Sequence, residues 1–284
     1  MRALKRCPQM AGCVRAATCM KRCSITEQLA ASPLWSVEPE KWAIYRRVLT
    51  MAQDRRIPFA VGGGTATMVY TGRPRQSKDI DLFLAPDHRD EMIQVTRDCG
   101  LGDLYDEQPY DRNWIYRAHD GAAIVDVIWS MANYRSQVDA TWLENGPEIE
   151  LDGMRLHLVP AEETLWCKLY ILQRDRCDWP DALNIVKTVG PELDWDRVMS
   201  RLEGDTPLLS GLLSVFAWLC PDRAQDLPRS LWRQLNLEYP RHAAGESRRA
   251  RLNLLDSRPW FGPLVDAGRG FQPDNEVKAE DCKC

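Results

Sequence analysis

The sequence predicts an α+β protein in which a small mixed β-sheet with flanking helices is followed by an α-helical domain. Apolar residues alternate along KDIDLFLA (78–85), and two more alternating stretches are each divided by an Asp-Gly pair, a strong short-range signal for a β-hairpin. After Pro160 the apolar residues recur instead at helical spacing. We therefore expect the sheet domain at 36–159 and the helical domain at 160–261.

The first elements of the sheet domain follow from local patterns. Residues 41–56 carry apolar side chains at helical spacing and predict an amphipathic helix. The stretch 58–63 (PFAVGG) predicts a short buried strand that runs into a glycine turn. A short helix is expected next, with Thr65 as its N-cap and Gly72 as its stop. The strand at 78–85 completes this part of the domain.

The remaining elements are a helix, two hairpins and four further helices. Residues 87–100 predict a helix that ends at a glycine. One hairpin is predicted from 113–119 and 122–129, and a second lies within 149–159. The helical domain is predicted to contain the helices 160–176, 178–190, 194–204 and 207–220. The last of these is almost entirely apolar, so we expect it to be buried.

The ends of the chain and its composition narrow the class of protein. The first 23 residues contain six Lys or Arg and no acid. Their Cys spacing matches no zinc-ligand pattern, so residues 1–30 are predicted to be a disordered basic leader and 262–284 a disordered tail. Scattered Cys and the lack of a secretory signal or an 18-residue apolar run predict a cytoplasmic protein outside the membrane. The net charge of −4 gives no overall basic field, although the Arg-rich stretch 223–258 leaves a local nucleic-acid surface open.

Asp79 and Asp81 are the first candidates for chemistry. Alternate residues of a strand share a face, so these two carboxylates point the same way and lie about 6–7 Å apart. They repel each other unless a cation or a basic group lies between them. Hard divalent ions such as Mg²⁺ suit carboxylate ligands and complete their shell with water and substrate phosphates. Because exposed strand ends often carry two acids as well, the pair needs supporting signals.

Two further features supply that support. Gly62, Gly63 and Gly64 form a turn between a strand and a helix, where backbone N–H groups approach a phosphate beside the positive end of the helix dipole. Asp126 lies in the apolar strand AAIVDVIW, where an isolated carboxylate is costly unless it pairs or binds a metal. Together these residues predict a site where Mg²⁺ holds a triphosphate while a carboxylate activates a nucleophilic hydroxyl.

These motifs resemble the polymerase-β-type nucleotidyltransferase superfamily. Its pattern is a hydrophobic residue with Gly-Gly or Gly-Ser, a short helix, Asp-hydrophobic-Asp, and a third Asp on a later strand. The matching residues here are Val61-Gly62-Gly63, Asp79-Ile80-Asp81 and Asp126. The stretch 75–81 (RQSKDID) resembles a bacterial branch that includes AbiEii-like and MenT-like toxins and minimal nucleotidyltransferases.

The resemblance extends into the predicted helical domain and covers roughly residues 58–185. Lys168, Arg174 and Asp178-x-x-Asp181 resemble the Lys…Arg-Asp-x-x-Asp region of that branch. Cys177 departs from the pattern, because an Arg usually precedes the first Asp.

The resemblance implies an enzyme that transfers a nucleoside monophosphate from an NTP to a hydroxyl acceptor and releases pyrophosphate. Mg²⁺ or Mn²⁺ would be held by the catalytic residues Asp79, Asp81 and Asp126, and the last two would help to deprotonate the acceptor. The implied nucleotide-binding residues are Gly62, Gly63, Gly64, Arg75, Ser77, Lys78, Lys168, Asp178 and Asp181. The acceptor is left open between a tRNA, a protein and a small molecule, and an antitoxin is a further candidate partner.

Alternatives stand beside these assignments. Asp178 can instead cap the following helix, with Asp181 near the positive end of its dipole, and Lys168 can be an ordinary surface charge. The same fold could serve as a non-catalytic nucleotide-binding or toxin–antitoxin-type regulatory module, although all three acids are retained. A glycosyltransferase also uses Asp-x-Asp with a divalent metal, but places a longer nucleotide-binding region before that motif.

Overall fold

The computed structural model describes residues 37–73, 77–241 and 251. At its centre is a five-stranded sheet with the spatial order β1-β2-β5-β4-β3. The strands are β1 (Ala60–Val61), β2 (Asp79–Phe83), β3 (Gly102–Asp103), β4 (Ile115–His119) and β5 (Ile124–Ile128). β2 and β5 run parallel, and the other neighbouring strands are antiparallel. A mixed sheet surrounded by helices confirms the predicted α+β class.

Three helices accompany the sheet. They are α1 (Pro39–Asp54), α2 (Gly63–Thr71) and α3 (Arg89–Asp98). Ile80 and Leu82 of β2 are buried in an apolar core that also contains side chains of α1 and α3, so these two helices cover one face of the sheet. Asp79 and Asp81 alternate with them along the strand and lie on the other face.

A short helix and a second hairpin follow the sheet. They are α4 (Ala140–Glu144), β6 (Glu148–Leu151) and β7 (Met154–His157). Asp152 and Gly153 form the hairpin turn with φ angles of 48° and 75°. The Val159 N–H donates to the Val61 carbonyl oxygen at 2.9 Å and ties this segment to the edge of the main sheet. The predicted hairpins, β4–β5 and β6–β7, are both confirmed.

The rest of the described chain is helical. It contains α5 (Ala161–Leu169), α6 (Trp179–Val189), α7 (Trp195–Leu202), α8 (Thr206–Leu219), α9 (Pro221–Ala224) and α10 (Arg229–Gln234). Leu183 of α6 and Phe216 of α8 are fully buried in one apolar cluster. The same cluster includes Ala66 and Tyr70 of α2. The helical part therefore packs directly on the short helix that follows the glycine turn.

The end of α5 differs from the prediction. This helix was expected to continue to residue 176 but ends at Leu169. Residues 173–176 are polar and form a turn instead, in which the Gln173 N–H donates to the Arg176 carbonyl oxygen at 2.7 Å. The turn brings the chain back so that the Asp178 N–H donates to the Ile171 carbonyl oxygen at 3.0 Å.

The start of α2 also differs from the prediction. The helix begins at Gly63, and Gly62 occupies the N-cap position. Thr65, which was predicted as the N-cap, lies inside the helix with 1% of its surface exposed. Gly72 ends α2 in the left-handed conformation with φ 64°, as predicted.

Several predictions concern residues beyond the described ranges. The leader 1–30, the tail 262–284 and the end of the predicted helical domain at 252–261 lie outside them. The division of the chain at residue 160 stays a prediction. Within 37–73 and 77–241, no helix is both long enough and apolar enough to cross a lipid bilayer.

Candidate active site

The strand register brings the predicted acids onto one face of the sheet. Asp81 of β2 pairs with Asp126 of β5 in the parallel ladder, and Arg117 of β4 pairs with Asp126 from the other side. These three residues therefore form a row across three neighbouring strands. Asp79 lies two positions before Asp81 and shares its face. A shift of one residue in this register would turn the acids of one strand toward the apolar core, so burial of the opposite face sets the arrangement.

The glycine turn packs directly against Asp81. The Gly62 N–H donates to the Asp81 carbonyl oxygen at 2.9 Å, and the Gly64 N–H is near enough to the Asp81 carboxylate to lower its pKa. Gly63 has a φ of 52°, and a Cβ at this position would overlap the same carboxylate. Only glycine suits position 63, both for its backbone conformation and for the space beside the acid.

The three carboxylates carry more negative charge than their surroundings neutralise. Burial, together with the charges of Asp79 and Asp126, raises the pKa of Asp81 to about 7. Burial also raises the pKa of Asp126 to about 6, although the hydrogen bond from Arg117 opposes this shift. Lys168 is near enough to favour the ionised form of Asp81. An added cation would therefore stabilise the cluster.

Arg117 belongs to the site although the sequence motifs did not identify it. Its Nε donates to Asp126 Oδ1 at 2.9 Å, and its Nη2 donates to Asp126 Oδ2 at 3.2 Å and to Asp79 Oδ2 at 3.5 Å. The guanidinium thus connects two of the three acids. The hairpin pattern contained only a partial signal: counting outward from a two-residue turn at Asp120-Gly121 places Arg117 on the same face as Asp126 but opposite Ile124. The four-residue loop 120–123 is what sets Arg117 directly opposite Asp126.

A second charged group, here called the helical cluster, consists of Lys168, Arg176, Asp178 and Asp181. The Lys168 side chain is buried and donates from Nζ to Asp178 Oδ2 at 3.0 Å and to Asp181 Oδ2 at 2.8 Å. Arg176 donates to both carboxylate oxygens of Asp178, through Nε and Nη2 at 3.0 Å each. Burial opposes ionisation of Asp178, but the bonds from Arg176 and Lys168 outweigh it and lower its pKa to about 2.

The contacts in the helical cluster exclude two alternatives, a surface-charge role for Lys168 and a helix-capping role for Asp178. Lys168 is not a surface charge, since only 5% of its surface is exposed. Asp178 stands at the N-cap position of α6, but its side chain makes no capping hydrogen bond. Arg174, suggested by the motif, is exposed and pairs with its neighbour Asp175. Arg176 makes the contact with Asp178 instead, and the departure at Cys177 could have indicated that the arginine had moved by one position.

The other predicted nucleotide-binding residues differ in their placement. The Ser77 hydroxyl donates to Asp79 Oδ1 at 3.2 Å and so joins the acid cluster. Lys78 is exposed at the start of β2. Arg75 lies outside the described residues.

The three carboxylates offer the type of ligand atom that a divalent cation binds. They supply the hard oxygen ligands and the surplus negative charge that Mg²⁺ prefers. In the part of the chain that the structure describes, no group of three or more His, Cys, Asp or Glu side chains is arranged to hold an ion. Arg117 instead contacts Asp126 and Asp79. The donor set is therefore suitable, with a guanidinium as its present counter-cation.

Comparison with known proteins gives structural neighbours only. No family model matches the sequence, and no curated protein does. The solved antibiotic-resistance factor ANT(2'')-Ia is 17% identical, with 62% of this chain and 96% of that chain covered and a TM-score of 0.43. The lincosamide antibiotic adenylyltransferase LnuA is 17% identical, with 50% and 94% covered and a TM-score of 0.38. JHP933 from Helicobacter pylori is 14% identical, with 77% and 90% covered and a TM-score of 0.40. At these values the likeness assigns no activity, and the function is inferred from the site itself.

Proposed function

We propose that this protein is a nucleotidyltransferase, which transfers a nucleoside monophosphate from an NTP to a hydroxyl group and releases pyrophosphate. The observation that carries the proposal is the register of β2 and β5. It sets Asp81 beside Asp126 on the face where the glycine turn meets Asp81. The positive end of a helix, surplus carboxylate charge and a titratable base are thereby combined in one place, as phosphoryl transfer requires. A tRNA, a protein and a small molecule all offer an acceptor hydroxyl.

Asp81 and Asp126 are suited to take the proton of that hydroxyl. Their pKa values of about 7 and about 6 lie near neutral pH, where a general base is most effective. The hydroxyl oxygen bonds to the α-phosphorus, the bond from that phosphorus to the oxygen that bridges to the β-phosphate breaks, and pyrophosphate leaves. Mg²⁺ or Mn²⁺ bound by Asp79, Asp81 and Asp126 would neutralise phosphate charge and favour the ionised hydroxyl.

The triphosphate would lie between the glycine turn and the helical cluster. Gly62, Gly63 and Gly64 lie at the positive end of α2, whose dipole favours phosphate charge, while the Gly62 and Gly64 N–H groups are directed at Asp81. Arg176 is held by Asp178 and retains 62% side-chain exposure, so its guanidinium is available to a phosphate. The hydrogen bond to Asp178 raises the pKa of Arg176, and the charges of Asp81 and Asp79 add to this effect, which supports its position across the site from the acids. Ser77, Lys78, Lys168, Asp178, Asp181 and Arg75 complete the proposed nucleotide-binding set.

Transfer of label from the nucleotide tests this function. Purified protein is incubated with Mg²⁺, total RNA or cell lysate, and each of the four NTPs labelled on the α-phosphate. We expect label to enter one class of product from at least one NTP. The same NTP labelled on the γ-phosphate should label nothing, since that phosphate leaves with pyrophosphate. The enzyme proposal is wrong if no product forms, or if Asp79→Ala forms it equally well.

A non-catalytic nucleotide-binding or toxin–antitoxin-type regulatory module is the second candidate. It is favoured by the ion pairs that engage Arg117 and Lys168 with acids of this chain. Calorimetric titration with NTP and Mg²⁺ separates the two functions, because a module binds nucleotide without forming labelled product. A glycosyltransferase is the weaker alternative. It would consume an added nucleotide-sugar instead of an NTP.

A further inference from the structure

Arg117 neutralises part of the acid cluster from within the fold. Its two donor atoms engage both carboxylate oxygens of Asp126 and one of Asp79. A divalent cation on this face would need oxygen atoms from the same two side chains. A guanidinium and a divalent ion that share these carboxylates would repel each other, so both cannot occupy the cluster in this arrangement.

The backbone of Arg117 is fixed, whereas its guanidinium can leave. The Arg117 N–H donates to the Tyr110 hydroxyl at 3.0 Å, and that hydroxyl donates to Asp103 Oδ1 at 2.7 Å. The Arg117 side chain is 26% exposed and carries the charge on a long stem with several rotatable bonds. Rotation about that stem takes the charge toward water without disturbing the pairing of β4 with β5.

We propose that Arg117 is a displaceable internal counter-cation that competes with a divalent metal for Asp126 and Asp79. The chain then binds the metal weakly until the guanidinium moves away, since a ligand that needs the less populated of two arrangements binds with an affinity reduced by that population. This inference rests on the metal site of the proposed function but not on the transfer reaction.

The test is a titration with Mn²⁺ in the absence of nucleotide. Free Mn²⁺ is counted by electron paramagnetic resonance for the wild type, Arg117→Gln and Arg117→Lys. The matched control is Arg112→Gln, which removes one positive charge from the neighbouring loop, where Arg112 pairs with Asp103 at 2.6 Å.

We expect Arg117→Gln to bind Mn²⁺ about tenfold more tightly than Arg112→Gln, because a charge-assisted hydrogen-bonded competitor has been removed. Arg117→Lys should lie between the wild type and Arg117→Gln. Equal or weaker Mn²⁺ binding by a folded Arg117→Gln protein overturns the proposal, as does a lack of Mn²⁺ binding by every variant.

If Arg117→Gln does not fold, the wild type provides a second measurement. Saturating Mg²⁺ should shift the Arg117 side-chain ¹⁵Nε resonance and speed its hydrogen exchange with water. An unmoved resonance would refute displacement.

The two proposals can fail separately. Tighter Mn²⁺ binding by Arg117→Gln, in a protein that transfers no nucleotide, would support the counter-cation and refute the transferase. Unchanged Mn²⁺ binding, in a protein that transfers nucleotide, would refute the counter-cation alone.

Discussion

The acid cluster on the sheet and the helical cluster contain the same kinds of side chain in different proportions. The sheet has three carboxylates, Asp79, Asp81 and Asp126, of which only Asp79 and Asp126 are bonded to its one arginine. The helical cluster has two carboxylates, one lysine and one arginine. Asp81 and Asp126 accordingly have raised pKa values of about 7 and about 6, and that of Asp178 is lowered to about 2. Burial opposes ionisation in both places, so the number of cationic partners decides the direction of the shift.

This difference distinguishes a cluster that an added cation would stabilise from one whose charges are already balanced. Surplus negative charge on the sheet destabilises the protein when no cation is bound. A bound cation relieves this repulsion. Balanced charge in the helical cluster holds Lys168 and Arg176 in position and contributes to stability. Loss of an acid should therefore abolish activity without unfolding the sheet, whereas loss of Lys168 should unfold the protein more readily.

The largest expected effect is on catalysis. Asp79→Asn and Asp81→Asn should each lower nucleotidyl transfer by about 10³-fold or more, because the phosphate charge is no longer neutralised. The thermal midpoint should stay the same or rise, since carboxylate repulsion is relieved. Incorporation of α-labelled nucleotide and scanning fluorimetry measure the two quantities. Asp87→Asn, at an exposed acid just after β2, is the control, and a large loss of stability in the site variants would mean that the acid pair is structural.

Removal of Lys168 should produce the largest loss of stability. Lys168→Met leaves Asp178 and Asp181 without their shared buried partner, which should cost about 3 kcal/mol of unfolding free energy. Urea denaturation measures this cost, with the exposed Lys78→Met as the control. Adding Asp178→Asn to Lys168→Met should recover part of the loss, because it removes one of the two carboxylate charges that Lys168 balanced. A double variant that loses the full sum of both single changes would show that the two residues are not coupled.

The pH dependence of stability should have opposite signs in the two clusters. The pKa of Asp81 rises from 3.8 to about 7 on folding, so the folded state binds more protons and wild-type stability falls as the pH rises from 4 to 7. Asp81→Asn removes this loss and should be more stable than the wild type by about 4 kcal/mol at pH 8, with little difference near pH 4. Asp178, with its pKa lowered to about 2, contributes stability above pH 4 that disappears as the pH falls through 2. Denaturation curves from pH 2 to pH 8 would contradict this account if Asp81→Asn gave the same advantage at every pH.

The smallest expected effect concerns two neighbouring arginines. Arg176→Ala should cost about 1 kcal/mol of stability and weaken NTP binding about tenfold, because it removes a guanidinium already oriented by Asp178. Arg174→Ala should change neither quantity, since Arg174 is 96% exposed. Calorimetric titration with a non-hydrolysable NTP analogue measures the affinity. Equal effects of the two substitutions would show that orientation by Asp178 does not matter.

Those features that depend on residues close in sequence could be predicted. The two Asp-Gly pairs predicted both hairpins, and Asp-x-Asp on an alternating strand predicted two carboxylates on one face. The end of α5 could not be predicted in this way, because residues 170–176 continue a helix-compatible pattern and only the return of the chain toward Ile171 shows the turn. Thr65 was a reasonable N-cap by residue type, but Asp81 occupies the space next to Gly63 and Gly64 and itself accepts the N–H at the helix start.

Contacts between distant residues were less accessible to sequence reasoning. Lys168 was predicted to face the nucleotide, but its two bonds to acids depend on how α5 and α6 meet. The role of Arg117 depends on the hairpin register and on the placement of β5 beside β2. The predicted motif therefore identified the acids, while their counter-charges became visible only with the strands assembled.

The order in which the strands meet has a consequence for folding. β4 and β5 are joined by four residues, whereas β2 lies far from β5 in the chain, so the hairpin can form long before the parallel pair does. Arg117 and Asp126 come together in that hairpin, and Asp126 has its ionic partner before Asp79 and Asp81 arrive. The repulsive meeting of the acids is thus postponed until β2 pairs with β5, when one member is already neutralised. A nascent chain would be protected from its own acidic charge by the arginine that folds with it.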